Sequence, residues 1–405
     1  MSFTSIPVLD LSQADSAETK PAFLSELRAA LMEVGFLYLE NVGIPDELFA
    51  EVIKEGKAFF DIPMEEKLKI EMKNAPSFLG YSRLSAEITA GAVDHREQID
   101  MSTEHAVPTA GQPAYYNLLA PNQWPSPKLL PRFRPAFAEY MARMGAVSMR
   151  FTSLVAEAIG LPAAAFDRYF ERAAADQQHK LKVVKYPDAG ELGGDGDGDG
   201  SPRQGVGPHK DSMYTSYLLQ ASPHRGLQVQ NLRGEWVDCP PMPGTLVVAI
   251  GQGLEALTGG VCASTTHRVL SPPAGQGPRY SIPFFQGVRL DTEFEELETV
   301  GVGKVPDEVR AQRARVLAEN GAGRLDDAEF TFRTGGAART LGEATLRNRV
   351  KSHPDVGERW YPEILASIRE EQRLSKNHGA STSTAPGAEA LRTASGNAGQ
   401  TVEAH

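Results

Sequence analysis

The sequence predicts a mixed α/β protein dominated by β structure: an antiparallel sandwich or jelly-roll core, preceded by an N-terminal α/β module and followed by a helical segment. Three observations predict it. Between 181 and 288, short apolar runs are separated by Gly and Pro, the signature of many short antiparallel strands. The first sixty residues alternate strand and helix patterns. After the strand-rich stretch, 290–376 carries apolar residues at helical spacing, including Leu346 and Val350, then Ile364, Leu365 and Ile368.

The elements follow in order. IPVLDL at 6–11 is a short apolar run closed by Asp10 and Ser12, and reads as a strand. Leu24, Leu27, Leu31 and Val34 recur at helical spacing, with Gly35 just past the end. FLYLENVG at 36–43 returns to a strand. Pro45 opens a helix with Leu48, Val52, Ile53 and Phe59 on its inner face. Residues 76–130 have little period and read as irregular loops. The stripe Phe137, Met141, Met144, Val147, Phe151, Leu154 and Ala158 predicts a core-packed helix over 132–160, ended by Gly160 and Pro162. The strands expected next are KVVKY, MYTSYLLQ, LQVQN, EWVDC, TLVVAI, HRVL and RYSIPFF. Beyond 377, Ala, Gly, Ser and Thr dominate and predict disorder. Five parts are therefore expected: an N-terminal module at 1–130, a spine helix region at 131–180, the jelly-roll core at 181–290, a helical segment at 291–376 and a tail at 377–405.

Composition narrows the function. The 41 Lys and Arg against 52 Asp and Glu give a net charge of −11, and no basic block is present. Such a chain is a poor partner for a phosphate backbone, so no nucleic acid is expected. Two cysteines, Cys239 and Cys262, make no disulfide framework. The opening MSFTSIPVLDLSQADSAETK has no basic stretch before an apolar one, and no apolar run approaches 18 residues. The expectation is a cytoplasmic monomer with no membrane partner. In DAGELGGDGDGDGS at 188–201, Asp195, Asp197 and Asp199 fall at EF-hand ligand positions. The twelfth position is Val206 where Glu is required, so a flexible solvated loop is expected there.

The chemistry sits in GPHKDSMYTSYLLQ and STTHRVL. His209 and Asp211 are two apart, so on a strand an imidazole and a carboxylate share a face while Lys210 points away. His267, in a later strand-like run, is the candidate third ligand. Two His and one carboxylate bind ferrous iron on one face and leave positions open. His-x-Asp alone arises by chance, and a zinc hydrolase also uses such ligands. Arg279 and Ser281 are again i and i+2 on a strand, and would offer a guanidinium fork and a hydroxyl to a carboxylate. Tyr186 closes KVVKY, and its phenol could donate to the same group. Arg83, Glu87 and Arg96 could meet a polar substrate, although a solvated loop accounts for them as well.

With these residues in place, the chain resembles the isopenicillin N synthase-like branch of the iron(II)/2-oxoglutarate-dependent dioxygenases. The resemblance rests on YP at 186–187, GPHKD at 207–211, GLQV at 226–229, EWVDCPPMPGTLVVAIG at 235–251, THRV at 266–269 and RYS at 279–281, in family order. SHPDVGERWYP at 352–362 resembles the C-terminal segment of fungal members. The match spans roughly residues 6–375. It implies a double-stranded β-helix (a cupin-like jelly roll) with His209, Asp211 and His267 as iron ligands. It also implies Arg279 and Ser281, assisted by Tyr186, as the clamp for 2-oxoglutarate, and Phe285 as a substrate-pocket residue. Two positions depart from the branch: Gln252 follows Gly251 where Asp is usual, and Val184 stands where Asn is common.

The implied cofactor is Fe(II), with 2-oxoglutarate and O2 as cosubstrates and succinate and CO2 released. The implied reaction is hydroxylation, desaturation or cyclisation of a small organic molecule, in secondary metabolism. The loops of 76–130 and the helices of 290–376 are expected to close over the mouth. Three alternatives share the pattern: an oxidase of the isopenicillin N synthase type that does not use 2-oxoglutarate, an ethylene-forming type, and a catalytically silent ligand-binding module.

Overall fold

Alternation along the strands decides how the layers stack. In the strand Thr245–Ile250, Leu246, Val248 and Ile250 join a core shared with helices, whereas Val247 and Ala249 join a second core on the opposite face. A strand buried on both faces reads as a continuous apolar run, as TLVVAI does. The computed structural model describes residues 2–89, 92–193, 203–294, 305–320 and 338–382. Asp195, Asp197 and Asp199 of the acidic loop lie outside them.

The N-terminal module is β1 (Val8–Asp10), α1 (Lys20–Glu33), β2 (Phe36–Glu40), α2 (Asp46–Asp61) and α3 (Met64–Lys69). Next come β3 (Gly80–Ser82), the ribbon β4 (Ile88–Thr89) and β5 (Ala92–Val93), and β6 (Glu97–Ser102). The long helix α4 (Phe133–Ala158) leads into β7 (Lys180–Tyr186), β8 (Gln204–His209), β9 (Thr215–Gln220), β10 (Leu227–Gln230) and β11 (Trp236–Asp238). Then follow β12 (Thr245–Ile250), α5 (Gln252–Leu257), β13 (His267–Leu270) and β14 (Arg279–Phe285). The chain closes with α6 (Asp307–Glu319), α7 (Leu341–Ser352), α8 (Pro354–Trp360) and α9 (Pro362–Thr382).

Among the described residues, eight strands form one sheet in the order β1-β2-β12-β9-β14-β7-β6-β3, and four form a second in the order β11-β10-β13-β8. The expected mixed α/β class, with large sheets, is what the chain adopts. One face of the large sheet is covered by α1, α2 and α4. Phe23, Leu27, Val52, Phe59, Phe133, Phe137 and Phe151 meet Leu39, Val183, Tyr217, Ile282 and Phe284 there. The other face meets the small sheet through Phe36, Tyr38, Val184, Tyr186, Val206, Val229 and Val269. The α4 stripe is as the spacing predicts, and truncating one of its buried phenylalanines to Ala costs about 3–5 kcal/mol.

Two expectations need correction. Residues 76–130 are not all loop: β3 and β6 extend the large sheet. The strand EQIDMS forms no apolar run: it is buried throughout, yet four of its six residues are polar, with Gln98 and Asp100 committed to a charged network. The helix α9 continues to Thr382, so the predicted boundary at 377 falls inside it; residues 383–405 lie outside the described residues. Among the described residues no helix is long and apolar enough to cross a membrane.

Candidate metal centre and its cavity

Cross-strand pairing brings the two histidines together. His209 ends β8, His267 begins β13, and they are direct partners in the antiparallel register. Their ring centroids stand 4.2 Å apart. Asp211 lies two residues beyond His209 but past the strand end, so the expected shared strand face is not what aligns it. A turn does so instead: the Gln252 N–H donates to the Asp211 carbonyl (2.8 Å), fixing the turn against the start of α5. Gln252, a departure from the branch pattern, thus anchors the turn through its backbone N–H. Lys210 turns toward Glu255, 4.0 Å away.

The donor atoms converge. The Nε2 atoms of His209 and His267 lie 3.7 and 3.8 Å from Asp211 Oδ1. One ligand atom from each residue falls within 4.8 Å of the others. The Nδ1 of His209 faces the Gly207 carbonyl at 2.8 Å, and that of His267 faces the Thr265 carbonyl at 3.2 Å. Each carbonyl fixes the tautomer with Nδ1–H, which leaves an Nε2 lone pair aimed at the shared point. Burial lowers the pKa of both imidazoles, and the neighbouring His209 lowers that of His267 further, so both are neutral. The Ser216 hydroxyl donates to Asp211 Oδ2, leaving Oδ1 to face the histidines. Two neutral imidazoles and one oriented carboxylate oxygen fit a divalent metal.

A second group of residues faces the same space. Arg279 and Ser281 sit two apart on β14, and each is only 1% exposed. The Arg279 guanidinium lies 5.1 Å from the Tyr186 ring centroid, and Tyr186 is its cross-strand partner on β7. Its Nη2 donates to Gln220 Oε1 at 3.3 Å. Its Nη1 and the Ser281 hydroxyl are buried without hydrogen-bond partners. Among the described residues no carboxylate pairs with Arg279. A buried guanidinium with no counter-charge is costly, and its arrangement calls for an anion. Gln220, absent from the sequence-based candidates, is held by the Cys239 and Pro240 carbonyls at 3.3 and 3.1 Å. A glutamine in a strand carries no periodic signal that marks it out.

One cavity of about 780 Å³ unites both groups. It is lined by His209, Asp211 and His267, by Arg279, Ser281 and Tyr186, and by Phe285 further along β14. Val184, the second departure, is a wall residue paired with Ser281. As expected, the C-terminal helices cover the space: Thr345, Asn348, Arg349 and Ser352 line it from one face of α7.

The three polar residues considered for a substrate divide. Arg83 is half exposed and pairs with Glu71 away from the cavity. Glu87 and Arg96 line the cavity and are paired with each other at 2.6 Å in a largely buried network, so the solvated-loop alternative does not hold for them.

Comparison with known proteins agrees with this geometry. A family model described as the non-haem dioxygenase in morphine synthesis N-terminal domain matches residues 6–127, and the 2OG-Fe(II) oxygenase superfamily model matches 179–288. The chain is 64% identical to the 2-oxoglutarate-dependent dioxygenase frbJ of Dothideomycetidae sp. (strain 11243), over 93% of this chain and 98% of that one. It is 31% identical to a homoarginine-6-hydroxylase of Glycine max, over 73% of this chain and 89% of that one. The fold is similar to the crystal structure of a full-length Neurospora crassa protein in complex with alpha-KG and 5-formyluracil. The TM-score is 0.64 at 21% identity, covering 86% of this chain and 96% of that one.

Proposed function

Because the chain belongs to the 2OG-Fe(II) oxygenase superfamily, and is an oxidoreductase that uses Fe(II), 2-oxoglutarate and O2, we propose the following assignment of its residues. His209, Asp211 and His267 hold the iron. Arg279 and Ser281, with Tyr186 beneath the guanidinium, hold the distal carboxylate of 2-oxoglutarate. The facing sheets are a double-stranded β-helix. The N-terminal module at 1–130, the spine region at 131–180 and the helices of 291–376 frame a catalytic core at 181–290.

The observation that carries the reading is the buried, unneutralised pair of Arg279 Nη1 and Ser281 Oγ in the cavity that also holds the three ligand atoms. Held by these residues, iron would supply the activation of oxygen, with 2-oxoglutarate converted to succinate and CO2. The chain's own residues do the rest. The Gly207 and Thr265 carbonyls keep the imidazoles in register. Ser216 directs one Asp211 oxygen inward. Arg279 and Ser281 orient the cosubstrate from the far end, since a planar fork fixes a carboxylate more tightly than a point charge does. Phe36 packs edge-on against His267, centroids 5.0 Å apart, and helps keep water from the site.

The substrate we propose is a small molecule, hydroxylated, desaturated or cyclised in secondary metabolism by a cytoplasmic, monomeric enzyme that binds neither membrane nor nucleic acid. The homoarginine-6-hydroxylase similarity supports a polar substrate. Phe285 lines the substrate end. The test is stoichiometry. Succinate should form in step with oxygen consumed, and oxygen uptake should depend on added 2-oxoglutarate. Oxygen uptake without succinate would transfer the clamp to a substrate carboxylate and make the enzyme an oxidase.

A further inference from the structure

Strand β7 presents Lys182, Val184 and Tyr186 on one face, and all three line the cavity. Tyr186 lies at the clamp. Lys182 lies four residues back, about 13 Å along the strand, beyond the reach of a five-carbon diacid held at Arg279. Around Lys182 gather cavity-lining groups from three other segments: Glu87, Arg96 and Arg349.

These groups form a mixed-charge wall. Arg96 Nη2 lies 2.6 Å from Glu87 Oε2 and 3.1 Å from Asp94 Oδ2. Lys182 Nζ is 3.4 Å from Asp100 Oδ1 and 4.0 Å from Glu87 Oε1. Arg349 Nη1 is 3.4 Å from the same Asp100 oxygen. Behind them Gln98 Nε2 donates to Glu87 and Asp100 at 3.1 and 2.8 Å. Three carboxylates, Glu87, Asp94 and Asp100, thus meet four basic side chains, Arg96, Lys180, Lys182 and Arg349. Lys180, next on the same strand face, donates to the Leu118 carbonyl.

The wall carries both signs and is not saturated. Arg96 Nε is buried without a hydrogen-bond partner, and so are Gln98 Oε1 and His353 Nε2, the latter 3.6 Å from Glu87 Oε1. The Lys182 and Arg349 pairs are longer than charge-assisted hydrogen bonds normally run. Burying so many charges is a poor way to stabilise a fold, because desolvation offsets most of the attraction. Arg96 Nε and the loosely held Lys182 and Arg349 leave donors for a carboxylate, and Glu87 Oε1, 3.6 Å from His353 and 4.0 Å from Lys182, leaves an acceptor for an ammonium. A ligand carrying both signs meets both sets of groups at once.

The geometry points to Glu87, Arg96, Lys182 and Arg349 as the primary-substrate site, built for a zwitterionic α-amino acid whose carboxylate meets the Arg96, Lys182 and Arg349 side and whose ammonium meets Glu87. This rests on the oxygenase reading and names the substrate class of the same cavity. Asp94 and Asp100, behind the wall, are positioning residues. Asp94 also accepts from the Gly207 N–H (3.2 Å), tying the wall to the strand that carries His209.

The test is anaerobic calorimetry on the full chain loaded with Fe(II) and 2-oxoglutarate. The probes are the twenty common L-amino acids and L-homoarginine, followed by the N-acetyl and methyl-ester derivatives of whichever binds. At least one free amino acid should bind. Its acetyl and ester derivatives should each bind at least about tenfold more weakly, because each removes one charge and strands its partner. Glu87→Gln should weaken the free amino acid but leave the N-acetyl derivative's residual affinity unchanged, and Arg349→Gln should do the same for the ester. The derivative comparison uses wild-type protein and stands even if a variant does not fold. Binding of no free amino acid, or equal binding of the derivatives, overturns the inference. Failure of 2-oxoglutarate itself to bind would instead overturn the oxygenase residue assignment.

Discussion

His209 and His267 are cross-strand partners, and both Nε2 atoms lie within 3.8 Å of one oxygen of Asp211. The arrangement depends on groups that hold the ligands without being ligands, and several outcomes follow from those groups.

Ser216 donates to the outer oxygen of Asp211. Ser216→Ala frees the carboxylate to rotate and should weaken Fe(II) affinity by about 10–100-fold. Metal titration checks it, with far-UV circular dichroism expected to match wild type. Unchanged affinity would remove Ser216 from the site.

Gln220 is the acceptor for Arg279 Nη2. Gln220→Ala leaves the guanidinium less well oriented, and the KM for 2-oxoglutarate should rise about fivefold, the worth of one hydrogen bond. The kcat at saturating 2-oxoglutarate should hold. Arg279→Lys keeps the charge but loses the fork, and should weaken 2-oxoglutarate by about 1–3 kcal/mol.

Gly251 passes so close to the chain after Asp211 that an added Cβ would stand 1.8 Å from the Met213 carbonyl oxygen. Gly251→Ala must push backbone against backbone. It should destabilise the protein by about 1–3 kcal/mol and displace the Asp211 turn. Thermal denaturation should show a lower Tm together with weaker Fe(II) binding. A normal Tm would mean that the turn yields freely.

Asp188 accepts the N–H groups of Glu191, Gly275 and Gly277 at 3.0, 3.1 and 2.8 Å, and these bonds hold its carboxyl below the usual value. A depressed folded-state pKa contributes stability above the unfolded value of about 4, and that stability is lost as pH falls through the folded value. Asp188→Asn should therefore lower Tm at neutral pH, with the gap closing below pH of about 4. A gap constant with pH would contradict the ionised role.

What the sequence made legible, and what it hid, has a physical basis. The strands β7 and β9 to β14 were legible because short apolar runs between Gly and Pro have few other uses, whereas β8, QGVGPH, carries Gly and Pro within it and forms no such run. Arg279 and Ser281 were legible because a strand's period of two fixes their common face. Asp211 meets the two histidines from a turn and not from a strand face, because strand periodicity does not report where a strand ends. Gln220 was hidden, since one polar residue in a buried strand looks like any other. Glu87, Arg96, Lys182 and Arg349 were hidden as a set: they are up to 262 positions apart, and charges in an aperiodic stretch resemble a solvated loop until the sheet brings Lys182 beneath them.

One cavity is lined both by His209, Asp211 and His267 and by Arg279 and Ser281, and the proposed roles require Fe(II) and 2-oxoglutarate to meet there. Anaerobic absorption spectroscopy reads that meeting out, because a visible charge-transfer band arises only when 2-oxoglutarate chelates Fe(II) in the site. The band should appear in wild type. It should be lost in Asp211→Ala, because two neutral imidazoles hold Fe(II) weakly, and Arg279→Lys should require more 2-oxoglutarate to reach it. A band of wild-type intensity in Asp211→Ala, or one reached at the same 2-oxoglutarate concentration in Arg279→Lys, would remove those residues from the proposed site.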